Sequence, residues 1–289
     1  MRSILLIALF LSVSSIAAAA EHYVSPDGSA TWERSTSIKT PCSLDTANRN
    51  ARAGDTVVLR GGVYGLWIEP ANSGKSDRER IRYAAYRNER PEIAGTEFAI
   101  HLNGKSWISV TGVDSRTCRQ FLIISNGHHN AIERCTFEGN KLKTTWMGSW
   151  VHESSTYNRI SGCTFSRYGW VENGDDKGAL LDIGYDVSTT DASNWNVVEH
   201  NTFFYGGHHI LQICGKNNVV RGNYFHNEAW LEGPRKGGCG NRNAMTMGPM
   251  ASRNLFEHNR FAFAGLPPDD NGRTVWRCGA RTTSSDGTC

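Results

Sequence analysis

The chain has 289 residues, with 31 Lys and Arg against 28 Asp and Glu, and 39% of its residues are hydrophobic. This composition is too apolar and too balanced in charge for a disordered chain, and its 30 glycines lack the three-residue period of collagen. A net charge of +3 is too small to indicate nucleic acid as the main partner.

The first twenty residues predict export. A positive start at 1–3 precedes an apolar run over 4–12 and the small residues 18–20, which is the pattern of a secretory signal peptide. The apolar run is shorter than the roughly 20 residues that a membrane span needs. We therefore predict a signal peptide over 1–20, a secreted or periplasmic protein, and neither a membrane nor a nucleic acid as partner.

An internal repeat is the strongest signal in the sequence. Five segments share a template with Asn first, an apolar residue at +2, Asn or Cys at +5 and Phe at +7: Asn130-AIERCTF, Asn158-RISGCTF, Asn196-VVEHNTF, Asn218-VVRGNYF and Asn254-LFEHNRF. A degenerate earlier copy is expected from Ser106 (SWISVTGV). The starts lie 28, 38, 22 and 36 residues apart, and a bare unit of 22 residues indicates a coil of a β-solenoid.

The template predicts a strand, a sharp turn and a second strand. The +2 residues are expected to stack inward, and the +7 phenylalanines to form a second inward stack: Ile132, Ile160, Val198, Val220 and Phe256, and Phe137, Phe165, Phe203, Phe225 and Phe261. At the turn, an Asn at +5 can bond the backbone of its own and the next coil. We predict such a ladder through Asn201, Asn223 and Asn259.

These repeats resemble the right-handed parallel β-helix of the pectate-lyase-like superfamily. The segments His22-YVSPDGS and Pro41-CSLDTANRNARAGDTVVLRGGVYG are similar to the opening of many secreted β-helix carbohydrate enzymes. The resemblance implies an all-β parallel β-helix over 21–265, with a short N-terminal capping helix and long groove-side loops, followed by an irregular tail over 266–289. We expect a monomer, although the tail shows no complete cap and an uncapped end exposes a sheet edge that can pair.

Each coil is expected to carry two further strands besides the template pair. The runs Leu180-LDI, Ile210-LQI and Ala244-MTM fit one of them and place Asp182, Gln212 and Thr246 in one outward column. Insertions lie before these runs, at 138–150, 166–178 and 226–243. In the superfamily such loops wall a substrate groove whose floor is this strand; the alternative is that they only decorate the surface.

The cysteines allow two interpretations. Cys135 and Cys163 share the +5 column, and stacked strands lie about 4.8 Å apart, within reach of a disulfide; two inward thiols fit equally well. Further pairings are Cys42 with Cys118 and Cys278 with Cys289. The sequence has no CxxC pair to indicate structural zinc.

An acidic segment predicts a calcium site. Its carboxylates could supply oxygen ligands for Ca²⁺: Glu172, Asp175, Asp176 and Asp182. The alternative is a solvated acidic turn. The Asn-Gly-Asp-Asp string at 173–176 is also similar to a motif of polygalacturonase-type glycoside hydrolases.

Gly206-Gly207-His208-His209 is similar to the Gly-Gly-His-Gly motif of the same hydrolases, with His209 in place of the last Gly. That resemblance implies inverting hydrolysis by paired carboxyl groups, but the second expected aspartate and an Arg-Ile-Lys string are missing. Packing of His208 and His209 on Trp-rich loops is the alternative interpretation.

A basic loop over 233–242 completes the candidates. Cleavage of a uronate polymer by β-elimination needs a base for the proton α to the carboxyl group and a cation that neutralises the carboxylate. We expect Arg235, Lys236, Arg242 and Lys216 to bind or neutralise carboxylates. Where alginate and chondroitin lyases of this fold carry acidic residues and a Lys in one strand, the chain has His209, Gln212 and Cys214.

The sequence therefore predicts a carbohydrate-active enzyme, foremost a lyase acting on an acidic polysaccharide. His208 or His209 would be base or acid, and Trp170 and Trp230 would stack on sugars beside Asp182 and Gln212. One alternative is an inverting hydrolase that uses Asp175, Asp176 or Asp182 with His208. The other is a β-helix that only binds a glycan or a cell surface.

Overall fold

The computed structural model describes residues 20–139, 148–168, 179–184, 193–204, 206, 209–226, 243–248, 251–262 and 276–278. Within these residues the chain winds through three parallel sheets of nine, eight and seven strands, here named A, B and C. Strands that are neighbours in a sheet come from successive coils, as a parallel β-helix requires.

Sheet A holds the first strand of each template. In spatial order its strands are β1 (Glu21–Val24), β2 (Thr56–Leu59), β4 (Ile81–Ala85), β7 (Ile108–Thr111), β10 (Ala131–Glu133), β13 (Arg159–Ser161), β16 (Val197–Glu199), β19 (Val219–Arg221) and β22 (Leu255–Glu257).

Sheet B holds the second template strand. Its strands are β3 (Gly62–Tyr64), β5 (Pro91–Ala94), β8 (Asp114–Arg116), β11 (Thr136–Glu138), β14 (Thr164–Ser166), β17 (Thr202–Phe204), β20 (Tyr224–His226) and β23 (Arg260–Ala262).

Sheet C precedes each template. It consists of β6 (Phe98–Asn103), β9 (Gln120–Ser125), β12 (Ser149–His152), β15 (Ala179–Ile183), β18 (His209–Ile213), β21 (Asn243–Met247) and β24 (Trp276–Cys278). Its last strand, β24, lies in the segment that the sequence analysis assigns to the irregular tail, and it pairs with β21.

The expectation of two further strands per coil is wrong for the described coils. The 22-residue coil from Val197 to Asn218 carries β16, β17 and β18, and thus one strand in each sheet. The long predicted insertions connect sheet B to sheet C, since they lie between β11 and β12, β14 and β15, and β20 and β21. Most of their residues lie outside the described ranges.

The predicted N-terminal helix is α1 (Leu44–Asn50), and a 3₁₀ turn over Glu33–Thr36 precedes it. Ser43 caps the helix, because its hydroxyl oxygen accepts a hydrogen bond from the Thr46 N–H at 3.1 Å. Leu44 and Ala47 are buried. The helix thereby covers apolar core at the first coils.

Two inward stacks form the core, as the sequence predicts. Ile132, Ile160, Val198 and Val220 pair in register along sheet A and are buried. The phenylalanines stack along sheet B with ring centroids 4.9–5.0 Å apart from Phe137 to Phe261. Because each ring sits one strand spacing above the last, every coil buries apolar area against both of its neighbours.

The degenerate early copy begins two residues later than the sequence indicated. Val110 pairs with Ile132, and Ser115 occupies the position of Phe137. A shift of two residues preserves which side chains point inward, so the apolar pattern alone did not reveal it.

Two ladders of buried asparagines line the turns. The predicted one links Asn201, Asn223 and Asn259 through Nδ2–Oδ1 hydrogen bonds of 3.1 and 3.0 Å. A second, which the sequence analysis did not anticipate, uses the first template position, with side-chain bonds of 3.0–3.2 Å between successive members: Asn130, Asn158, Asn196, Asn218 and Asn254. Both ladders satisfy backbone donors that the turns would otherwise bury unpaired.

Five cysteines of the described residues are free thiols. Cys135 and Cys163 stack in the +5 column, and the Cys135 N–H donates to the Cys163 Sγ at 3.5 Å. The interpretation as two inward thiols is therefore correct for this pair. The pairing of Cys42 with Cys118 is wrong, since both are free; Cys289 lies outside the described residues.

No helix in the described part of the chain has the length and apolar character needed to cross a membrane. The predicted signal peptide falls on residues 1–19, outside the described ranges, and on Ala20.

Candidate functional site

The outward face of sheet C carries a continuous column of side chains across successive coils. Asp182 pairs with Gln212 and Gln212 with Thr246, which confirms the predicted register of these three residues. The same column continues towards the N-terminus through three residues that the sequence analysis missed: Trp150, Ile123 and His101. With strands about 4.8 Å apart, the part from His101 to Gln212 is about 19 Å long.

The first group on this face surrounds His101. Its Nδ1 lies 2.7 Å from the Glu69 Oε1, and the ring of Phe98 stacks on it with centroids 4.4 Å apart. The Trp67 indole N–H donates to the other oxygen of Glu69 at 2.8 Å. The carboxylate is therefore held between an indole and an imidazole, and it orients the imidazole.

The second group lies two coils further on and centres on His152. Trp150 stacks on the His152 ring with centroids 4.2 Å apart, because residues two apart in a strand share a face. The His152 Nδ1 is 3.9 Å from the Glu153 Oε1, and the Ser125 hydroxyl donates to the Glu153 Oε2. His152 thus stands between an aromatic face and a positioned carboxylate.

Asp182 and Gln212 differ in exposure. The Asp182 residue is 0% exposed, and its contact with a bound sugar stays a prediction. Gln212 is half-buried, and its Nε2 donates to the Cys214 Sγ at 3.2 Å. Of the two predicted substrate residues within the described ranges, Asp182 and Gln212, it is the accessible one.

Cys214 is flanked by two glycines along the axis. The Cys214 N–H bonds the Ile183 carbonyl and the Gly248 N–H bonds the Ile213 carbonyl, which aligns Gly184, Cys214 and Gly248. A Cβ on Gly248 would lie 2.8 Å from the Cys214 Sγ. The backbone at Gly248 therefore approaches Cys214 more closely than a residue with a Cβ would allow. With glycine at positions 184 and 248, no side chain projects from the face on either side of Cys214.

The structure separates Lys216 and His209 from the Gln212 column. Lys216 follows β18 in the turn to sheet A, where its N–H donates to the Asn194 Oδ1 at 2.7 Å. His209 pairs with Ala179 in the register of β18, an odd number of positions from Gln212. The other predicted site residues lie outside the described residues: Trp170, Glu172, Asp175, Asp176, His208, Trp230, Arg235, Lys236 and Arg242.

The described residues contain no group of three or more His, Cys, Asp or Glu side chains arranged to hold a metal ion. Of the four predicted calcium ligands, only Asp182 is among them, and it is buried. The calcium site therefore stays a prediction from the acidic segment of the sequence.

Sequence reasoning missed His101 and His152 for an identifiable reason. His101 precedes the regular repeats and His152 follows an insertion, so no repeat template marks the strand of either residue. The available signal is the alternation in Ser149–His152, where Trp150 and His152 project outward and Val151 inward.

The family profile described as Pel9A-like, right-handed β-helix region matches residues 22–176. The chain belongs to this Pel9A-like β-helix family. The match includes His101, Trp150 and His152 and ends before β15, so the strands of Asp182 and Gln212 lie beyond it. No curated protein matches the sequence.

Solved structures share the fold at low identity. The pectate lyase Pel9A superimposes with a TM-score of 0.61 and 15% identity, over 86% of this chain and 63% of its own length. An alginate lyase from Paenibacillus sp. str. FPU-7 gives 0.53 and 14%, over 82% of this chain and 97% of the enzyme. A GH136 lacto-N-biosidase from Eubacterium ramulus gives 0.52 and 11%, over 84% and 56%. The chain thus has the β-helix fold of several polysaccharide lyases and spans less than two thirds of the pectate lyase.

Proposed function

We propose that this protein is an exported lyase that cleaves a uronate-containing polysaccharide by β-elimination. The observation that carries the proposal is that His101, His152 and Gln212 share the outward face of sheet C, in a chain of the Pel9A-like family. The pectate and alginate lyases of the same fold act on acidic polymers according to their names. A polymer chain laid along this face would meet one coil after another.

The reaction removes the proton on the carbon α to the uronate carboxyl group. The electron pair of that C–H bond forms a carbon–carbon double bond as the bond to the glycosidic oxygen breaks, and the oxygen leaves with a proton. No water is consumed. A base and a cation opposite the carboxylate are required, because negative charge accumulates on that group in the transition state.

His152 is the described side chain best suited to be the base. A neutral imidazole accepts a proton near neutral pH, and the nearby Glu153 carboxylate stabilises the imidazolium that forms. Gln212 can donate to polymer oxygens. For the neutralising cation we propose the other predicted basic residues, Arg235, Lys236 and Arg242.

The test is a product assay on polygalacturonate and alginate. Elimination creates an unsaturated chain end that absorbs in the ultraviolet, together with a new reducing end. New reducing ends without ultraviolet absorbance would instead establish hydrolysis, and binding without either product would establish a non-catalytic glycan-binding protein. Running the assay with and without a calcium chelator tests the predicted calcium requirement separately.

A further inference from the structure

A column of aromatic rings occupies the corner between sheets C and A, outside the site described above. Its members, here called the corner ladder, are Trp107, His129, Tyr157 and Trp195, each directly before a template start. Ring centroids lie 4.1 Å apart from Trp107 to His129, 4.9 Å from His129 to Tyr157 and 6.3 Å from Tyr157 to Trp195, with nearly parallel planes. The stack is therefore continuous over four coils.

The backbone of the corner ladder is as regular as its rings. The Trp107 N–H donates to the carbonyl of His128, the residue just before the next ladder position. Each of the other three ladder residues donates in the same way to the carbonyl just before the corresponding position of the next coil. All four residues are left-handed, with φ between 56° and 62°. Bulky residues adopt this conformation only at a steric cost.

Glycine would adopt the same conformation without that cost. The turn between sheets A and B has glycine in some coils, with Gly112, Gly162 and Gly222 at φ of 73°, 63° and 62°, and Arg134, His200 and His258 in the same conformation in the others. The corner ladder has no glycine, and the next two coils continue the column with Asn217 and Arg253. Residues with side chains occupy the left-handed position of both turns, so the backbone alone does not distinguish the corner ladder. Its distinguishing feature is that four successive members carry rings that stack on one another.

The ladder is exposed at its C-terminal half. Tyr157 is 51% and Trp195 50% exposed, unlike most large apolar residues of the described chain. Because the rings stack face to face, they present mainly their edges to solvent, and aromatic edges carry the positive side of the ring quadrupole. The next coil places Asn217 beside Trp195 rather than another ring.

Arginine and histidine side chains accompany the rings. The Arg80 guanidinium lies 5.2 Å from the Trp107 ring centroid, with Asp77 paired to it at 2.7 Å. His128 and Arg253 are exposed next to or within the column. Burial, with the neighbouring His128 and Arg80, lowers the pKa of His129, so its ring remains a neutral stacking partner.

We propose that the corner ladder is a second contact surface for an acidic polysaccharide chain, running parallel to the helix axis beside sheet C. The coil spacing of about 4.8 Å is comparable to the length of one sugar residue in an extended chain. Ring edges contact hydroxyl and carboxylate oxygens, Trp195 offers a ring surface at the ladder's end, and the exposed Arg253 guanidinium matches the polymer's charge. The inference rests on the proposed acidic polymer but not on its cleavage.

Affinity electrophoresis in gels that contain polygalacturonate or alginate tests this surface, with a neutral glucan gel as reference. The background is His152→Asn, so that the polymer is not consumed. Tyr157→Asn with Trp195→Asn removes both exposed rings and keeps a residue that tolerates the left-handed conformation. We expect the apparent dissociation constant for the acidic polymer to rise about 5-fold to 10-fold. Leu255→Ala, an apolar residue of 49% exposure on sheet A, should change nothing.

A gain-of-function variant guards against loss of folding. Asn217→Trp adds a fifth ring in register and is expected to tighten binding. The proposal would be overturned if neither variant changed the retardation while the variant without the two exposed rings melted at a lower temperature. The ladder would then serve only to stabilise the fold. Absence of retardation of the parent protein by both acidic polymers would also overturn it. Ladder-dependent binding, combined with no unsaturated product from the protein that retains His152, would refute the lyase activity alone.

Discussion

The side-chain oxygen of Asn223 accepts two hydrogen bonds from Asn201, one from its backbone N–H at 2.9 Å and one from its Nδ2 at 3.1 Å. Asn223 in turn donates from its Nδ2 to the Val198 carbonyl at 2.9 Å and to the Asn259 Oδ1 at 3.0 Å. Both residues are 1% exposed. Each coil is thus bonded to the next by a side chain as well as by its sheets, and no water can replace these bonds.

Replacing Asn223 by Ala should therefore lower the free energy of unfolding by about 2–3 kcal/mol, because buried donors of Asn201 lose their acceptor. Urea denaturation followed by circular dichroism measures the change. Asn50→Ala is the control, since Asn50 bonds only within α1 and is exposed; its effect should stay within about 0.5 kcal/mol. Equal losses in the two variants would contradict a stabilising role of the ladder.

The phenylalanine stack makes a graded prediction. Phe203 is 0% exposed and stacks at 5.0 Å on both Phe165 and Phe225, so Phe203→Ala should cost about 3–5 kcal/mol. Phe261 is only partly buried, so the same substitution there should cost clearly less. The comparison uses denaturant midpoints of the two variants, and a reversed order would be inconsistent with a continuous core.

Sheets A and B could be predicted from the sequence because the turn between them has constant length. Positions +2 and +7 keep the same separation in all five copies, so the alignment of Ile132 with Ile160 and of Phe137 with Phe165 follows directly from the letters. Before position 130 this marker is lost. There the apolar alternation permits a shift of two residues, and the copy expected at Ser106 was placed out of register.

The candidate site could be predicted only in part, because unequal connections separate sheet B from sheet C. The column of Asp182, Gln212 and Thr246 emerged from three similar apolar runs, but Trp150 and His152 lie on a short strand without such a run. Burial could not be predicted either, since the position of Asp182 in an outward column does not reveal what covers it. Side-chain pairs such as His101 with Glu69 join residues 32 positions apart and leave no local pattern.

Glu199 should make stability depend on pH. Its side chain lies between Arg159 and Arg221 at 2.5 and 2.7 Å. Burial opposes its ionisation, and the hydrogen bonds from both guanidinium groups outweigh burial, so the pKa of Glu199 is lowered on folding. A carboxyl group with a lowered pKa in the folded state contributes stability above its unfolded pKa of about 4.3, and this contribution is lost as the pH falls through the folded value.

Glu199→Gln should accordingly destabilise the protein at pH 7, by about 1–2 kcal/mol for charged hydrogen bonds to half-exposed partners. The difference from the parent protein should shrink as the pH falls below the unfolded pKa of about 4.3 and through the lower folded value. Thermal unfolding across this range measures it. Glu257→Gln serves as the control, because Glu257 is also near Arg221 but at 4.0 Å, too far for a hydrogen bond, so its replacement should change stability little. A difference that is independent of pH would show that the charge of Glu199 is irrelevant.

His152→Asn should lower the rate of unsaturated product formation about 10²-fold to 10⁴-fold, the usual contribution of a positioned base. The reason is geometric as well as chemical: Trp150 and Glu153 fix the imidazole on the outward face of sheet C, and an amide in its place cannot accept the proton. His258→Asn is the matched control, since His258 is exposed in the turn between sheets A and B, away from that face. Polymer binding by the His152 variant should persist, because the substitution leaves Gln212 and the corner ladder intact. Full activity of the His152 variant would exclude this residue as the base and return that role to His208 or His209.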